Sequence, residues 1–350
     1  MRRTLLIVAV ALSVALTACA QPTPEGRQDE EPIVDETPPA EAATLRYGIA
    51  TGSEYVYDST IAMSMDTSFS GGPSDEPMPE SMEMDMEMST TTRFAVSDGP
   101  EPGTYSVALS YEAMSFDRLT TSIDGEEFDL GSEGDLAESE LSSEMANLPE
   151  VDYVVDEKGR MVSVSFDGAD LDLGMLGGGA QPMGGFGAGQ PFLGPEFAED
   201  DVTVGDSWTT EWNSPVFPGM DGFGVTAENT LLAVEEFDGI DVWVIETTTT
   251  ADPIELSFED LMQMMFEGLG DADMAALGEA DLGMLGMFEM TMRLEQKPSV
   301  STVWFDPDRG ITVRQVWEVD QVMEFDFAAE GESGSMAMAT VMSGEMQLQS

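Results

Sequence analysis

Residues 55 to 69 read YVYDSTIAMSMDTSF, in which Tyr55, Tyr57, Ile61, Met63, Met65 and Phe69 are apolar while Asp58, Thr60, Ser64, Asp66 and Ser68 take alternate places. Successive side chains of an extended chain point to opposite faces, so this pattern specifies a strand with one covered face and one wet face. Its length is the constraint. At the usual rise such a strand is about 50 Å long if straight, against a typical strand of about five or six residues. A partner of similar length has to lie beside it.

The next segment supplies that partner. After GGPSDEPMPES, a Gly and Pro cluster that reads as a loop, Met82, Met84, Met86, Met88, Phe94 and Val96 alternate with Glu83, Asp85, Glu87 and Arg93. The two segments predict a long antiparallel hairpin. Further strands follow at Tyr105 to Ala113, at Tyr153 to Val155 and, after a turn at Asp156-Glu157-Lys158-Gly159, at Arg160 to Phe166. Near the C-terminus Trp317, Val319, Met323, Phe325 and Phe327 share one face of another long strand, and Met336, Met338 and Met342 recur beyond it.

The second half repeats the order of the first. GSEY at Gly52 answers to GDSW at Gly205, FAV at Phe94 to LAV at Leu232, Tyr105 to Trp243, and YVVDEKG at Tyr153 to VWFDPDRG at Val303. Each turn has an apolar triplet, an Asp and a Gly suited to positive φ. Four landmarks in one order read as an internal duplication; the competing account is that any two long meanders share such a layout. Between the landmarks, Asp135 to Asn147 and Ser257 to Leu269 predict two short helices, the second from the Leu261, Met264, Met265, Leu269 stripe. The fold expected is therefore mainly β, with long antiparallel strands in a curved sheet or half-barrel, two pseudo-repeats at 45–170 and 198–350, and a few short helices as lids. Residues 171–197 form a Gly- and Met-rich linker between them.

The N-terminus bounds the location. Arg2 and Arg3 precede an apolar run from Leu5 to Leu16, too short for a comfortable membrane span and typical of a secretory signal. Leu16-Thr17-Ala18-Cys19 resembles a bacterial lipobox. That resemblance implies cleavage after residue 18 and acylation of Cys19, the sole cysteine, which anchors the protein in a membrane. Ala20 and Gln21 after the cysteine imply sorting to the outer membrane of a two-membrane envelope. Residues 19–44 are rich in Pro, Glu, Asp and Gln with little to bury, and read as a disordered tether.

Charge excludes one class of partner. There are 12 Lys and Arg against 69 Asp and Glu, a net charge of -57, and loss of Arg2 and Arg3 leaves 10 against 69, or -59. Nucleic acid binding needs a basic face, so no nucleic acid partner is expected. The acids are spread along the chain, which implies a heavily hydrated surface that repels itself at low salt.

No catalytic set assembles. There is no histidine, so neither a Ser-His nor a Cys-His pair exists, and with 69 acids some close carboxylate pair is unavoidable and uninformative. The acidic runs DLDLG and DADMAALGEADL lack the ligand order of a calcium loop. The chain reads as non-enzymatic and without a cofactor.

Methionine is the anomaly, at 27 residues. Two accounts stand. In the first, Met is adaptable apolar filling on strand faces. In the second, Met63, Met65, Met82, Met84, Met86 and Met88 supply thioethers to Cu(I); sulfurs on one strand lie about 7 Å apart, so such a site requires both strands of the hairpin. Lipobox, acidic tether and long antiparallel strands together resemble the carrier lipoproteins of the LolA and LolB class, and the G-x-x-[YW] and apolar-triplet-Asp landmarks resemble uncharacterised secreted β-rich lipoprotein families. The first resemblance implies a half-barrel around an apolar concavity. The expected function is an envelope lipoprotein that holds a lipid-like or other hydrophobic ligand or serves as an interaction module; the alternative is a Met-rich periplasmic Cu(I)-binding protein.

Overall fold

A computed structural model describes residues 45–71, 79–128, 151–166, 169–171, 195–214, 223–257, 288–329 and 332–349. Signal, tether, Cys19, most of the linker and the two predicted helices lie outside them. The strands are β1 (Glu54–Gly71), β2 (Ser81–Asp98), β3 (Thr104–Ile123), β4 (Glu126–Phe128), β5 (Val151–Asp156), β6 (Met161–Phe166), β7 (Ala169–Leu171) and β8 (Ser207–Ser214). Then come β9 (Phe223–Phe237), β10 (Ile240–Ala251), β11 (Ile254–Ser257), β12 (Phe288–Gln296), β13 (Ser299–Asp306), β14 (Ile311–Ala329) and β15 (Glu332–Leu348). No helix occurs among the described residues. Ser257, expected to cap one, instead ends β11, because Ile254 and Leu256 alternate inward and hold it in the strand.

All fifteen strands belong to one antiparallel sheet whose main path runs β7-β6-β5-β3-β2-β1-β15-β14-β13-β10-β9-β8. Most neighbours in space are consecutive in sequence; β3–β5, β10–β13 and β12–β14 skip only one or two strands, whereas β1–β15 pairs the first and last described strands at the middle of the sheet. Among the described residues β7 and β8 are the two edges, so the sheet is curved but not closed into a barrel. Both halves run as six-strand meanders, and both carry their extra strands after the third: β4 in the first, β11 and β12 in the second. Long strands explain those extras. β13 covers β14 only to Glu318, and β12 takes over from Gln321 to Ala329.

Alternation in the sequence becomes burial in the sheet. Tyr57, Met63, Met65 and Thr67 of β1 are buried while Asp58, Thr60, Asp66 and Ser68 are exposed. β14 repeats this, with Ile311, Val313, Gln315, Trp317, Val319, Gln321, Met323 and Phe325 covered. One landmark departs from expectation: Phe94 and Val96 are buried, but their counterparts Leu232 and Val234 are 44% and 39% exposed. The residue between β9 and the interior is Leu231, fully buried, next to a register shift of the β9–β10 pair at Val244/Ile245. β8 pairs with β9 only as far as Thr230, so Leu232 and Val234 lie beyond its reach, which alternation alone does not reveal.

One end of the apolar face is filled by chain that is not strand. Leu45, Tyr47 and Ile49 are almost fully buried. Tyr47 donates its N–H to Glu157 O at 2.7 Å and its phenol to Pro195 O at 2.9 Å, and accepts at its carbonyl from the Tyr105 phenol at 3.0 Å. Its ring stacks on Phe197 with centroids 4.4 Å apart and meets Phe305 edge-on at 5.3 Å. Phe197, read above as part of the linker, is thus core. Through these rings Val155 of β5 and Phe305 of β13 join one cluster although five other strands separate them along the sheet, which requires the sheet to curl.

The two matching turns hold this plug. In the first, Asp156 Oδ1 accepts from the N–H groups of Lys158 and Arg160, and Arg160 Nε donates to Asp156 Oδ2 at 2.8 Å. In the second, Asp306 Oδ1 accepts from Asp308 and Arg309, and Arg309 Nε reaches Asp306 Oδ2. Gly159 and Gly310 have φ of +86° and +66°. A Cβ on Gly159 would meet the Tyr47 ring at 2.5 Å, and one on Gly310 would meet the backbone N of Gly48 at 2.1 Å. Both glycines are therefore required by space as well as by φ.

Candidate functional site

Away from the plug, the same covered face changes composition. Its second core cluster consists of Met65, Ile254, Leu256, Met292, Leu294, Met323, Phe325 and Met338, with Met82, Met84, Met290 and Met336 packed against it. Eight of these twelve residues are methionine, whereas in the first cluster six of 34 are, Met63, Met342, Met346, Met84, Met86 and Met161, among a majority of Tyr, Phe, Trp, Val, Ile and Leu. β1, β2, β14 and β15 cross from one region to the other, while β11 and β12 belong to the methionine region alone.

Register shows how the sulfurs meet. Met63 lies opposite Met86 on β2 and opposite Met342 on β15; Met65 lies opposite Met84. Further along, Met338 lies opposite Met323, and Phe325 has Met336 on one side and Met292 on the other. Directly opposed residues on one face have Cβ atoms about 4.5–5.5 Å apart, close enough for long side chains to touch. The structure thus brings Met63, Met65, Met84 and Met86 together as cross-strand pairs. Met82 faces Thr67, and Met88 faces Ile61, so these two lack a directly opposed sulfur on β1. Sequence reasoning did not include Met342, Met338, Met336, Met323 and Met292 in the group; their alternation was visible, but the pairing of β1 with β15 was not. Among the described residues no group of three or more His, Cys, Asp and Glu is placed to hold a metal ion.

The methionines are graded in exposure. Met63, Met65 and Met342 are 7%, 2% and 5% exposed, while Met82, Met84, Met86, Met290 and Met336 are half-buried. The half-buried group forms an apolar rim to the covered interior. Trp317 sits one row nearer the plug, and Gly344 opposite it leaves the room its ring occupies, since a Cβ there would fall 2.0 Å from the ring. On the opposite face near the same end, Ser70, Thr291, Asp326 and Ser335 border a shallow open depression of about 550 Å³.

The outer face is acidic and its cations are spent. Arg93 bridges Glu54 at 2.6 Å and Glu112, Arg118 pairs with Asp85 at 3.5 Å, and Arg314 pairs with Glu345 at 2.8 Å while lying 4.6 Å over the Trp304 ring. Asp66 has no such relief. It stands directly opposite Glu83, and partial burial, then Glu83 and Asp85, hold its carboxyl above the usual carboxylate range. A raised carboxyl pKa means the fold binds that proton more tightly than the unfolded chain, so ionisation of Asp66 opposes folding. Asp66→Asn is expected to stabilise the protein at pH 7 by about 0.5 kcal/mol, the scale of a like-charge cross-strand pair. The gain should be absent below about pH 4, where both states are protonated, and should shrink in molar salt. Denaturant titrations at low and high salt check this; a gain that persists at low pH would refute the charge explanation.

The fold places the chain in a class, the open all-antiparallel meander. No protein-family model matches it, and no curated protein matches it. Among solved structures it is similar to OpdQ of Pseudomonas aeruginosa, with 6% identity over 83% of this chain and 97% of that one and a TM-score of 0.16. It is also similar to the translocator domain of the autotransporter NalP from Neisseria meningitidis, with 8% identity over 86% and 89% of the chains and a TM-score of 0.14.

Proposed function

We propose that this chain is a non-enzymatic envelope lipoprotein, tethered to the membrane through acylated Cys19, that holds a lipid-like or other apolar ligand against the methionine-rich half of its curved sheet. The observation that carries the reading is the division of one continuous apolar face into an aromatic, close-packed end and a methionine end with a half-buried rim. Unbranched thioether side chains adapt to varied apolar shapes, as flexible binding surfaces require, whereas the ring cluster around Tyr47 suits a fixed core. An acidic outer face keeps such a protein hydrated beside the membrane and away from nucleic acid. The matching strand order and the matching Asp–Gly turns support reading residues 45–170 and 198–350 as one unit used twice.

Native mass spectrometry of the protein purified from its own envelope tests the reading. The expected result is a mature chain beginning at Cys19 and carrying acyl mass, with a further non-covalent apolar ligand that is lost on organic extraction. Re-addition of a long-chain lipid should then shift tryptophan emission, because Trp317 borders the methionine region and all five Trp lie in the second half. A ligand-free protein whose emission ignores added lipid would refute ligand binding.

A further inference from the structure

We infer that Met63, Met86 and Met342 form a site for one soft monovalent cation, Cu(I), for which Ag(I) is an inert analogue. The three residues occupy one row across three adjacent strands, with Met63 of β1 in the centre, Met86 of β2 directly opposite on one side and Met342 of β15 directly opposite on the other. Residues paired in this way share a face, and Cβ separations of about 4.5–5.5 Å place neighbouring thioethers within reach of a common ion. Each side chain has three rotatable bonds, so three sulfurs can converge without backbone movement. Met63 at the centre has a directly opposed sulfur on each side, while Met86 and Met342 stand two strand spacings apart, about 9.5 Å, so the site needs both outer side chains to reach inward over Met63.

The surroundings select the ion. Val319 continues the row on β14, and the next row adds a second opposed pair, Met65 and Met84. No oxygen anion enters this face: Asp66, Glu83, Asp85 and Glu87 alternate to the other side of the sheet. A hard divalent ion would find no carboxylate there, whereas thioethers favour soft Cu(I). Access also fits, because Met63 and Met342 are 7% and 5% exposed while Met86 and Met84 are half-buried at the rim. The ion would enter past Met86 and be bound deeper, out of reach of water. Filling alone would be served as well by Leu or Ile, which stand with these methionines in the same core cluster. This site is independent of lipid binding, and either property can fail without the other.

The test uses the full chain with Cys19→Ser, so that no thiol competes. Cu(I) is titrated against a chromophoric Cu(I) chelator, and Ag(I) is counted by native mass spectrometry. The expected result is one tightly held equivalent, with quenching of tryptophan emission because Trp317 lies in the adjacent row. Met63→Leu/Met86→Leu/Met342→Leu should weaken that equivalent at least 100-fold, while Met161→Leu on β6 leaves it unchanged. Leucine preserves volume, so the melting temperature of the triple variant should stay within a few degrees of the parent. Should the triple variant fail to fold, each single Leu variant is expected to weaken binding at least about 10-fold, since losing even an outer-shell partner of a metal ligand costs about 10–100-fold. Absence of a saturable equivalent, or full affinity in the folded Leu variants, overturns the assignment and leaves these methionines as packing.

Discussion

Tyr47→Ala is expected to lower the unfolding free energy by about 3–5 kcal/mol, the range for deleting a buried aromatic ring whose site cannot collapse. Collapse is blocked here because the ring is held from three directions: Phe197 stacks on it, Phe305 meets its edge, and Gly159 closes its far side. The phenol adds a bond to Pro195 O, so Tyr47→Phe should cost about 1 kcal/mol, the net worth of one hydrogen bond. Denaturant midpoints of the two variants separate ring from hydroxyl. A loss below about 1 kcal/mol for Tyr47→Ala would mean that the segment does not plug the sheet. Burial also pushes the Tyr47 and Tyr57 phenols well above their usual value. The fold then holds those protons more tightly than the unfolded chain does. The corresponding stability is complete below about pH 10 and is lost at higher pH.

Gly310→Ala is the second large effect, with an expected cost of about 2–4 kcal/mol. A residue with a Cβ pays about 1–2 kcal/mol for the left-handed conformation, and overpacking adds about 1–3. The overpacking contribution is real at this position because the new atom would fall 2.1 Å from the backbone N of Gly48, and backbone cannot rotate away. Gly205 is the control: its φ is +95°, but nothing lies within 4 Å of its Cβ position. Gly205→Ala should therefore cost only the backbone part. Equal losses at the two positions would show that the turn at 306–310 does not clamp the N-terminal segment.

Much of this architecture was legible in residues. The alternation of Tyr55 to Phe69 with Met82 to Val96 predicted the β1–β2 hairpin, and the register bears it out from Glu54↔Ala95 to Ser68↔Ser81. The Asp–Gly turns were legible because their chemistry is local: the Asp side chain bonds N–H groups two to four residues away. Phe197 was not legible as core, since it follows a Gly-rich run and its partners, Tyr47 and Phe305, are far away in sequence. Leu45, Tyr47 and Ile49 did carry a signal, alternation just before Gly52, but too short to distinguish a plug from the end of a tether.

The methionine rows divide in the same way. Sequence by itself determined which methionines share a face of their own strand, because side-chain direction in a strand has period two and needs no partner. It also determined the acidic outer face, which is the other half of the same alternation. Only the tertiary structure decided which methionines stand opposite one another. Met63 meets Met342 because the first and last strands pair at the centre of the sheet, and that pairing depends on long-range burial of one apolar face against another, which no local pattern encodes.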